Sequence, residues 1–230
     1  MRYLGAALHR AGYTVTAPLL PGHGTRVEDL DRTPWQAWAG AVEHAYDTLR
    51  GSCERVAVVG QSLGGLLALY LATRRPDVAA IASLAAPLWF EGLSARIAQW
   101  AARGLLQRLP AIPKLGGSDV RDPRVKAENP CYRSIPTGGL AELARFMRVV
   151  DESLEEVTQP LLVLHAAKDH TAPASCASRI AARAHAVRMR ILPRSYHLIA
   201  ADVERDIVAT EVIEFLDRYC LPKEISACAT

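Results

Sequence analysis

The sequence predicts an α/β fold, a mostly parallel β-sheet with helices on both faces, and three observations lead there. Short runs rich in valine, leucine and isoleucine recur along the chain without polar alternation. Helical patterns separate successive runs, and a glycine-flanked serine stands at the junction of one run with the next helix. Strands covered on both faces read as continuous apolar runs, and parallel neighbours need a crossover of a dozen or more residues between them.

The elements follow in order. Met1, Leu4, Ala7, Leu8 and Ala11 fall at helical spacing, with Gly12 placed to end the helix in a left-handed conformation. Tyr13 to Leu20 alternates and then turns apolar, which predicts a strand ended by the turn Pro21-Gly22-His23-Gly24. Thr33-Pro34-Trp35-Gln36 combines an N-cap threonine, a proline at the first helical place and a glutamine three residues after the cap, and so begins a helix to about Arg50. Trp35 and Trp38 share one face of it and are expected in the core. Arg55 to Gly60 is a β-branched run, and Leu63 to Arg75 a helix stopped before Pro76. Ala79 to Leu84, Leu161 to His165 and Val187 to Leu192 read as further buried strands.

Between Pro87 and Gln159 the rhythm breaks. Helical patterns at about Leu93 to Leu109 and Leu140 to Val157 enclose a proline- and glycine-rich section without a strand signal, which reads as a small helical cap inserted at about 88–158 into a single domain of 1–230. Half of the 230 residues are hydrophobic, enough for one substantial core. Lysine plus arginine (27) barely exceeds aspartate plus glutamate (24), and the basic residues are scattered, so no nucleic-acid partner is expected. The apolar runs fall far short of the ~20 residues that span a bilayer. The first ten residues lack a secretory h-region, which makes a cytoplasmic protein the default expectation. Cys53, Cys131, Cys176, Cys220 and Cys228 are odd in number and show no CxxC spacing, so they are expected as free thiols, with no metal and no cofactor implied. Cys176 is expected to be structural, not nucleophilic.

The chemistry centres on Gly60-Gln61-Ser62-Leu63-Gly64, a G-x-S-x-G nucleophile elbow lying where that motif must lie, between a strand and a helix. The bare pattern would arise by chance in roughly one chain of this length in twelve, so the strand-turn-helix context carries the weight. The serine must adopt a strained turn conformation, which calls for little bulk two residues to either side; Gly65 adds room for the helix to approach the sheet. A serine hydroxyl needs a base within hydrogen-bond reach and a carboxylate that holds the base in the right tautomer.

In this arrangement the order along the chain is serine, acid, histidine. Asp169 lies just past the Leu161 to His165 run, at the carboxyl end of a strand where ligand sites gather. His197 lies in the loop after the last strand. Of the other six histidines, His9, His23, His44 and His165 precede the acid, His170 adjoins it too closely to be oriented by it, and His185 lies at a helix end. Ser62 is therefore the candidate nucleophile, His197 the base and Asp169 the group that orients it. Trp89, Phe90, Leu93, Ile97, Trp100, Leu105, Leu106, Phe146 and Met147 supply apolar surface in the cap region, either for an acyl pocket or for packing the cap on the body.

Together these segments resemble the bacterial carboxylesterases of the monoacylglycerol lipase group in the α/β-hydrolase superfamily. The resemblance runs through Gly12-Tyr13-Thr14-Val15, Pro18-Leu19-Leu20-Pro21-Gly22-His23-Gly24, the elbow at Gly60 to Gly65, Ala166 to Pro173, and Ser195-Tyr196-His197-Leu198-Ile199 with Asp202 and Glu204-Arg205-Asp206. It implies a cofactor-free hydrolase of carboxylic esters, often of short to medium acyl chains or monoglycerides, and an oxyanion hole to which Leu63 N–H contributes; the apolar residues of the cap region add the expectation of a small ester with an apolar acyl chain. The same resemblance implies a strand and a glycine-containing loop ahead of the first helix, supplying the other oxyanion donor and lying between the Tyr13 to Leu20 and Arg55 to Gly60 strands. Met1 is accordingly expected to be an internal methionine of a longer protein. A stop codon directly upstream would exclude that. Two alternatives stand beside the esterase: a catalytically impaired binding protein of the same fold, and a thioesterase, acyltransferase or peptidase using the same three residues.

Overall fold

The structure is a computed structural model and describes residues 1–105, 111–113, 117–129, 131–132 and 134–220. The chain enters through helix α1 (Arg2–Arg10), which buries Leu4, Ala7 and Leu8 at the predicted spacing and gives way to Gly12 at φ +94°. A short helix α2 (Val27–Arg32) precedes α3 (Trp35–Arg50). Thr33 does not cap α3 as predicted. It ends α2, where its hydroxyl donates to the Asp29 carbonyl, and the N-cap place of α3 falls to Pro34. There follow β1 (Val58–Gln61), α4 (Leu63–Arg74), β2 (Ile81–Leu84), α5 (Gly92–Ala102), β3 (Ala111–Pro113), α6 (Pro123–Glu128), β4 (Ser134–Pro136) and α7 (Thr137–Glu152). The chain closes through β5 (Leu161–Ala166), α8 (Ser175–Arg183), β6 (Val187–Leu192) and α9 (Arg205–Cys220).

Strands β1, β2, β5 and β6 pair in that order, all parallel. Every residue of the two inner strands, β2 and β5, is buried. Successive side chains point to opposite faces, as strand geometry requires. Ile81, Leu161 and Val163 join Trp38, Leu66, Leu69 and Phe146 on one face, whereas Ala82, Leu84, Leu162 and Leu164 join Leu4, Leu8, Val212 and Phe215 on the other. Fully burying one such aliphatic side chain is worth about 1.5–3 kcal/mol, so the two cores clamp the sheet from both sides. No described helix is long and apolar enough to cross a membrane.

Three expectations are corrected. Val187 to Leu192 is a strand but not a buried one: β6 lies at the edge of the sheet, Arg188 to Ile191 are exposed and only Leu192 is buried. Tyr13 to Leu20 forms no strand: Leu19 is 71% exposed, Val15 is exposed as well, and the segment is tied down through the Tyr13 hydroxyl, which donates to Asp217 at 2.6 Å. Among the described residues no strand runs beside it, and without ladder partners β-propensity alone does not make a strand. Conversely, the connection between β2 and β5 holds a two-stranded antiparallel ladder, β3 with β4, in the section read as strandless. Prolines at its ends, Pro113 and Pro136, mask the pattern while remaining compatible with edge positions. The helix predicted from Leu93 to Leu109 is observed to Ala102, and residues 106–109 lie outside the described residues. The second predicted helix is α7 followed by a 3₁₀ turn at Leu154–Glu156.

Candidate active site

Ser62 occupies the turn between β1 and α4 with φ +56° and ψ −119°, a conformation that costs a non-glycine residue roughly 1–3 kcal/mol. The surroundings hold it there. Its N–H donates to the Leu84 carbonyl at 2.8 Å, and its own carbonyl accepts from Gly65 and Leu66 N–H. A Cβ on Gly60 would stand 1.9 Å from the Gly64 carbonyl oxygen, which no backbone adjustment short of opening the turn relieves. A Cβ on Gly64, by contrast, would meet nothing within 4 Å, so the expectation that both flanking glycines serve sterically is corrected: the crowding runs from the Gly60 side onto the Gly64 backbone. Gly65 does sit close to the sheet, its missing Cβ 3.0 Å from that of Ala86 and 3.1 Å from Ser83 Oγ.

Sheet register brings the other two candidates to the same rim. Asp169 leaves β5 and His197 leaves β6, at the carboxyl ends of strands that run parallel to β1. His197 Nε2 lies 2.8 Å from Ser62 Oγ, and His197 Nδ1 lies 2.8 Å from Asp169 Oδ2. With Nδ1 facing a carboxylate, the proton belongs there and Nε2 is left as the acceptor for the serine hydroxyl. The carboxylate itself is fully buried although its backbone is partly exposed. Burial pushes the Asp169 pKa up, but bonds from His165, His197 and the Ala172 N–H outweigh it and hold the carboxyl well below the usual range. Oδ1 accepts from Thr171 N–H at 2.8 Å and Ala172 N–H at 2.7 Å. Leu63 begins α4, where the first N–H groups have no intrahelical acceptor and the helix dipole favours negative charge.

Other side chains fix the loops that carry this constellation. Gln61 Oε1 accepts from Ala200 N–H at 2.8 Å, tying the elbow to the His197 loop. Buried Glu204 accepts from Arg194 N–H, Ser195 N–H and the Ser195 hydroxyl. Asp202 accepts from Tyr196 N–H at 2.7 Å and from Arg121 and Asp122 N–H, so it joins that loop to the segment before α6. Asp119 completes the join, accepting from His170 N–H and the Thr171 hydroxyl and lying 2.9 Å from His170 Nδ1. Sequence reasoning found Asp202 and Glu204 only as points of resemblance, without a role. Their signal would have been a cluster of carboxylates just after the histidine, each needing backbone donors if buried.

Among the described residues no group of three or more histidine, cysteine or acidic side chains is arranged to hold a metal ion. Cys176 is buried, with Sγ against Leu88 N–H and the Trp89 carbonyl, and burial pushes its thiol pKa up, away from nucleophilic use. Of the apolar residues between β2 and β5, Phe146 and Met147 belong to the core. Phe146 stacks on Trp35 at 5.1 Å and meets Tyr70 edge-on, so it fastens α7 to the body and does not line a pocket. Trp38 is buried and donates to the Pro21 carbonyl, as a core residue should. Trp89 and Phe90, in the segment that leaves β2, are half-buried and pack against the core, Trp100 and Leu105 are exposed, and the Leu93 side chain and Leu106 lie outside the described residues. A cavity of about 270 Å³ lies at the seam of α2 and α7, lined by Asp31, Arg32, Gly138, Glu142 and Arg145 and by none of Ser62, Asp169 or His197.

Comparison with known proteins bears on the family and the fold. The chain is 33% identical to a thermostable monoacylglycerol lipase from Bacillus sp. (strain H-257) over 221 residues, 95% of this chain and 85% of the relative. It is 27% identical to a carboxylesterase from Bacillus subtilis (strain 168), over 95% of this chain and 87% of that one. Among solved structures, one from work on LipS and LipT, two metagenome-derived lipolytic enzymes, superposes with a TM-score of 0.88 at 25% identity, covering 95% of this chain and 88% of that one. The monoacylglycerol lipase of Paleococcus ferrophilus superposes with a TM-score of 0.76 at 22% identity, covering 94% and 88%, and shows the fold alone. The family described as serine aminopeptidase, S33, matches residues 1–204. On that match, and on a relative one-third identical across nearly the whole chain, the protein belongs to this serine hydrolase family of the α/β-hydrolase fold.

Proposed function

We propose that the chain is a serine carboxylic-ester hydrolase in which Ser62 is the nucleophile, His197 the general base and Asp169 the residue that orients it. The observation that carries the reading is the unbroken hydrogen-bonded chain from Ser62 Oγ through both imidazole nitrogens to Asp169 Oδ2, each contact 2.8 Å. As Oγ attacks the ester carbonyl, Nε2 takes its proton, and the imidazolium is stabilised by the anionic Asp169. Negative charge collects on the former carbonyl oxygen, where Leu63 N–H donates to it. Collapse of the tetrahedral intermediate expels the alcohol, which receives the proton from Nε2. Water then attacks the acyl-enzyme by the same route and restores Ser62.

The substrate class we assign is a small ester with an apolar acyl chain, of the monoacylglycerol type. Support comes from the relatives named as monoacylglycerol lipase and carboxylesterase, and from Trp89 and Phe90 in the segment that leaves β2, whose last residue Leu84 pairs in register with Gln61 beside the elbow. Residues 88–158, between β2 and β5, act in this reading as a cap over the acyl site. A peptidase reading is favoured by one observation, the aminopeptidase description of the family. A single panel separates the two: p-nitrophenyl esters of increasing acyl length, a monoacylglycerol, and an aminoacyl p-nitroanilide. Expected are a burst of nitrophenol stoichiometric with enzyme, preference for esters, and complete loss of both burst and fluorophosphonate labelling in Ser62→Ala. A folded wild-type chain that neither reacts with fluorophosphonate nor turns over any ester would overturn the reading and favour a binding role.

A further inference from the structure

One buried titratable side chain has no part in the chemistry just described. His165 is the fifth residue of β5, a strand otherwise built of leucine, valine and alanine, and it is 0% exposed. Its Nε2 lies 3.0 Å from the Ala172 carbonyl oxygen and 3.2 Å from Asp169 Oδ2, the same oxygen that faces His197. Its Nδ1 is buried with no hydrogen-bond partner among the described residues. Two oxygen acceptors at Nε2 require a proton there, and an N–H at Nδ1 would be a buried donor with nothing to meet. The geometry selects the neutral imidazole carrying its proton on Nε2.

We propose that His165 is a positioning residue for Asp169. Its Nε2–H, shared between Oδ2 and the Ala172 carbonyl, fixes the plane of the carboxylate and closes the loop of residues 166–172 against it. The inference rests on the assignment of Asp169, His197 and Ser62 made above. A role in mere packing would be filled better by leucine, which leaves no polar nitrogen unpaired in an aliphatic strand. The ionisable groups facing this arrangement are Asp169 itself, His197 from the loop after β6, and the Cys176 thiol on α8, whose pKa responds to Asp169.

Two consequences distinguish positioning from packing. Without the second donor the Asp169 charge is less dispersed, so it stabilises the His197 imidazolium more and the acid limb of the kcat/KM profile moves to higher pH. The carboxylate also gains rotational freedom, so kcat falls while KM, which reports contacts His165 does not make, stays put. The test uses three variants. His165→Met and His165→Asn place no donor at the Nε2 position, whereas the amide nitrogen of His165→Gln does. Expected for Met and Asn are a roughly tenfold fall in kcat, the scale on which such supporting bonds act, and an acid limb raised by about half a unit. For Gln we expect kcat within about threefold of wild type and a limb close to it. Thermal unfolding of each variant is recorded alongside.

Unchanged kcat and an unmoved or lowered limb in Met and Asn would overturn the proposal. So would failure of Gln to restore them. If both donor-less variants fail to fold while Gln folds and works, His165 is structural and the proposal falls. Ser62→Ala and Asp169→Asn run in parallel: if wild type resists fluorophosphonate, or Asp169→Asn is as active as wild type, it is the assignment of the site that fails, not the role of His165.

Discussion

Replacing Asp202 by asparagine removes one oxygen from a carboxylate that is 1% exposed and serves backbone donors from three directions. Oδ1 accepts from Asp122 and Val203 N–H, Oδ2 from Tyr196 N–H, and both accept from Arg121 N–H. Asparagine can keep only one set. With its oxygen at the Oδ1 place, its NH₂ confronts the Tyr196 N–H; turned over, the NH₂ confronts Asp122 and Val203. Each bond to a charged acceptor is worth about 1.5–3 kcal/mol, and an orphaned buried donor costs about 1–3 kcal/mol, so Asp202→Asn should destabilise by about 2–4 kcal/mol. For a chain of this size that lowers Tm by roughly 4–16 °C. Tyr196 precedes His197, so freeing it lets the imidazole wander from Ser62, and kcat/KM for a p-nitrophenyl ester should fall about 10- to 100-fold even well below Tm. Urea unfolding and steady-state kinetics on the same preparation read both effects. Stability within about 0.5 kcal/mol of wild type, with kcat/KM unchanged, would refute the claim that this carboxylate holds the histidine loop.

The fold carries further expected outcomes. Gly60→Ala drives a Cβ to 1.9 Å from the Gly64 carbonyl oxygen and should abolish folding or activity, whereas Gly64→Ala meets open space inside α4 and should raise stability by up to about 0.5–1 kcal/mol, both measured by thermal melts. Phe146→Ala, at a fully buried site stacked on Trp35, should cost about 3–5 kcal/mol in urea unfolding. The Asp169 carboxyl is held below its unfolded-state value, so its contribution to stability is complete above about pH 4 and declines as pH falls further. Asp169→Asn lacks that contribution, and the stability gap between wild type and variant should therefore narrow only below about pH 4, which a pH series of melts reads.

The readable parts of this chain were those governed by local rules. Buried parallel strands announce themselves as apolar runs, and the elbow by glycine and serine at fixed spacing next to one of them; β2, β5 and the turn at Ser62 fall where these patterns lie, whereas β6 falls at its predicted place but is exposed along most of its length. Tyr13 to Leu20 obeys the same local rule and is no strand, because pairing is settled by what lies alongside, which no window of sequence contains. β3 and β4 fail in the opposite sense, hidden by their prolines. The meeting of Ser62, Asp169 and His197 at one rim of the sheet was legible from their order and their places after strands. The loop anchors were not, since Asp119 lies 50 residues before Asp169 and Gln61 139 residues before Ala200. His165 was set aside because it precedes the acid, a rule that applies to the base and says nothing about what supports the acid.

The anchors explain how a site assembled from loops is held in place. Ser62, Asp169 and His197 each sit on a different connection, and loops by themselves are the least constrained parts of a fold. Here every connection is fastened by a polar side chain that accepts from backbone N–H: half-buried Gln61 on Ala200, buried Asp202 and Glu204 on the histidine loop, and the Asp169 carboxylate on its own turn. Backbone donors leave no rotamer to slip, so each bond fixes the path of the chain itself. Asp202 and Asp119 extend the fastening to residues 119–122, between β2 and β5, through bonds that reach both the histidine loop and the acid loop. Residues 119–122 and the loops that carry His197 and Asp169 are therefore one hydrogen-bonded unit, and a change that loosens residues 119–122 acts on His197 and Asp169 without touching either.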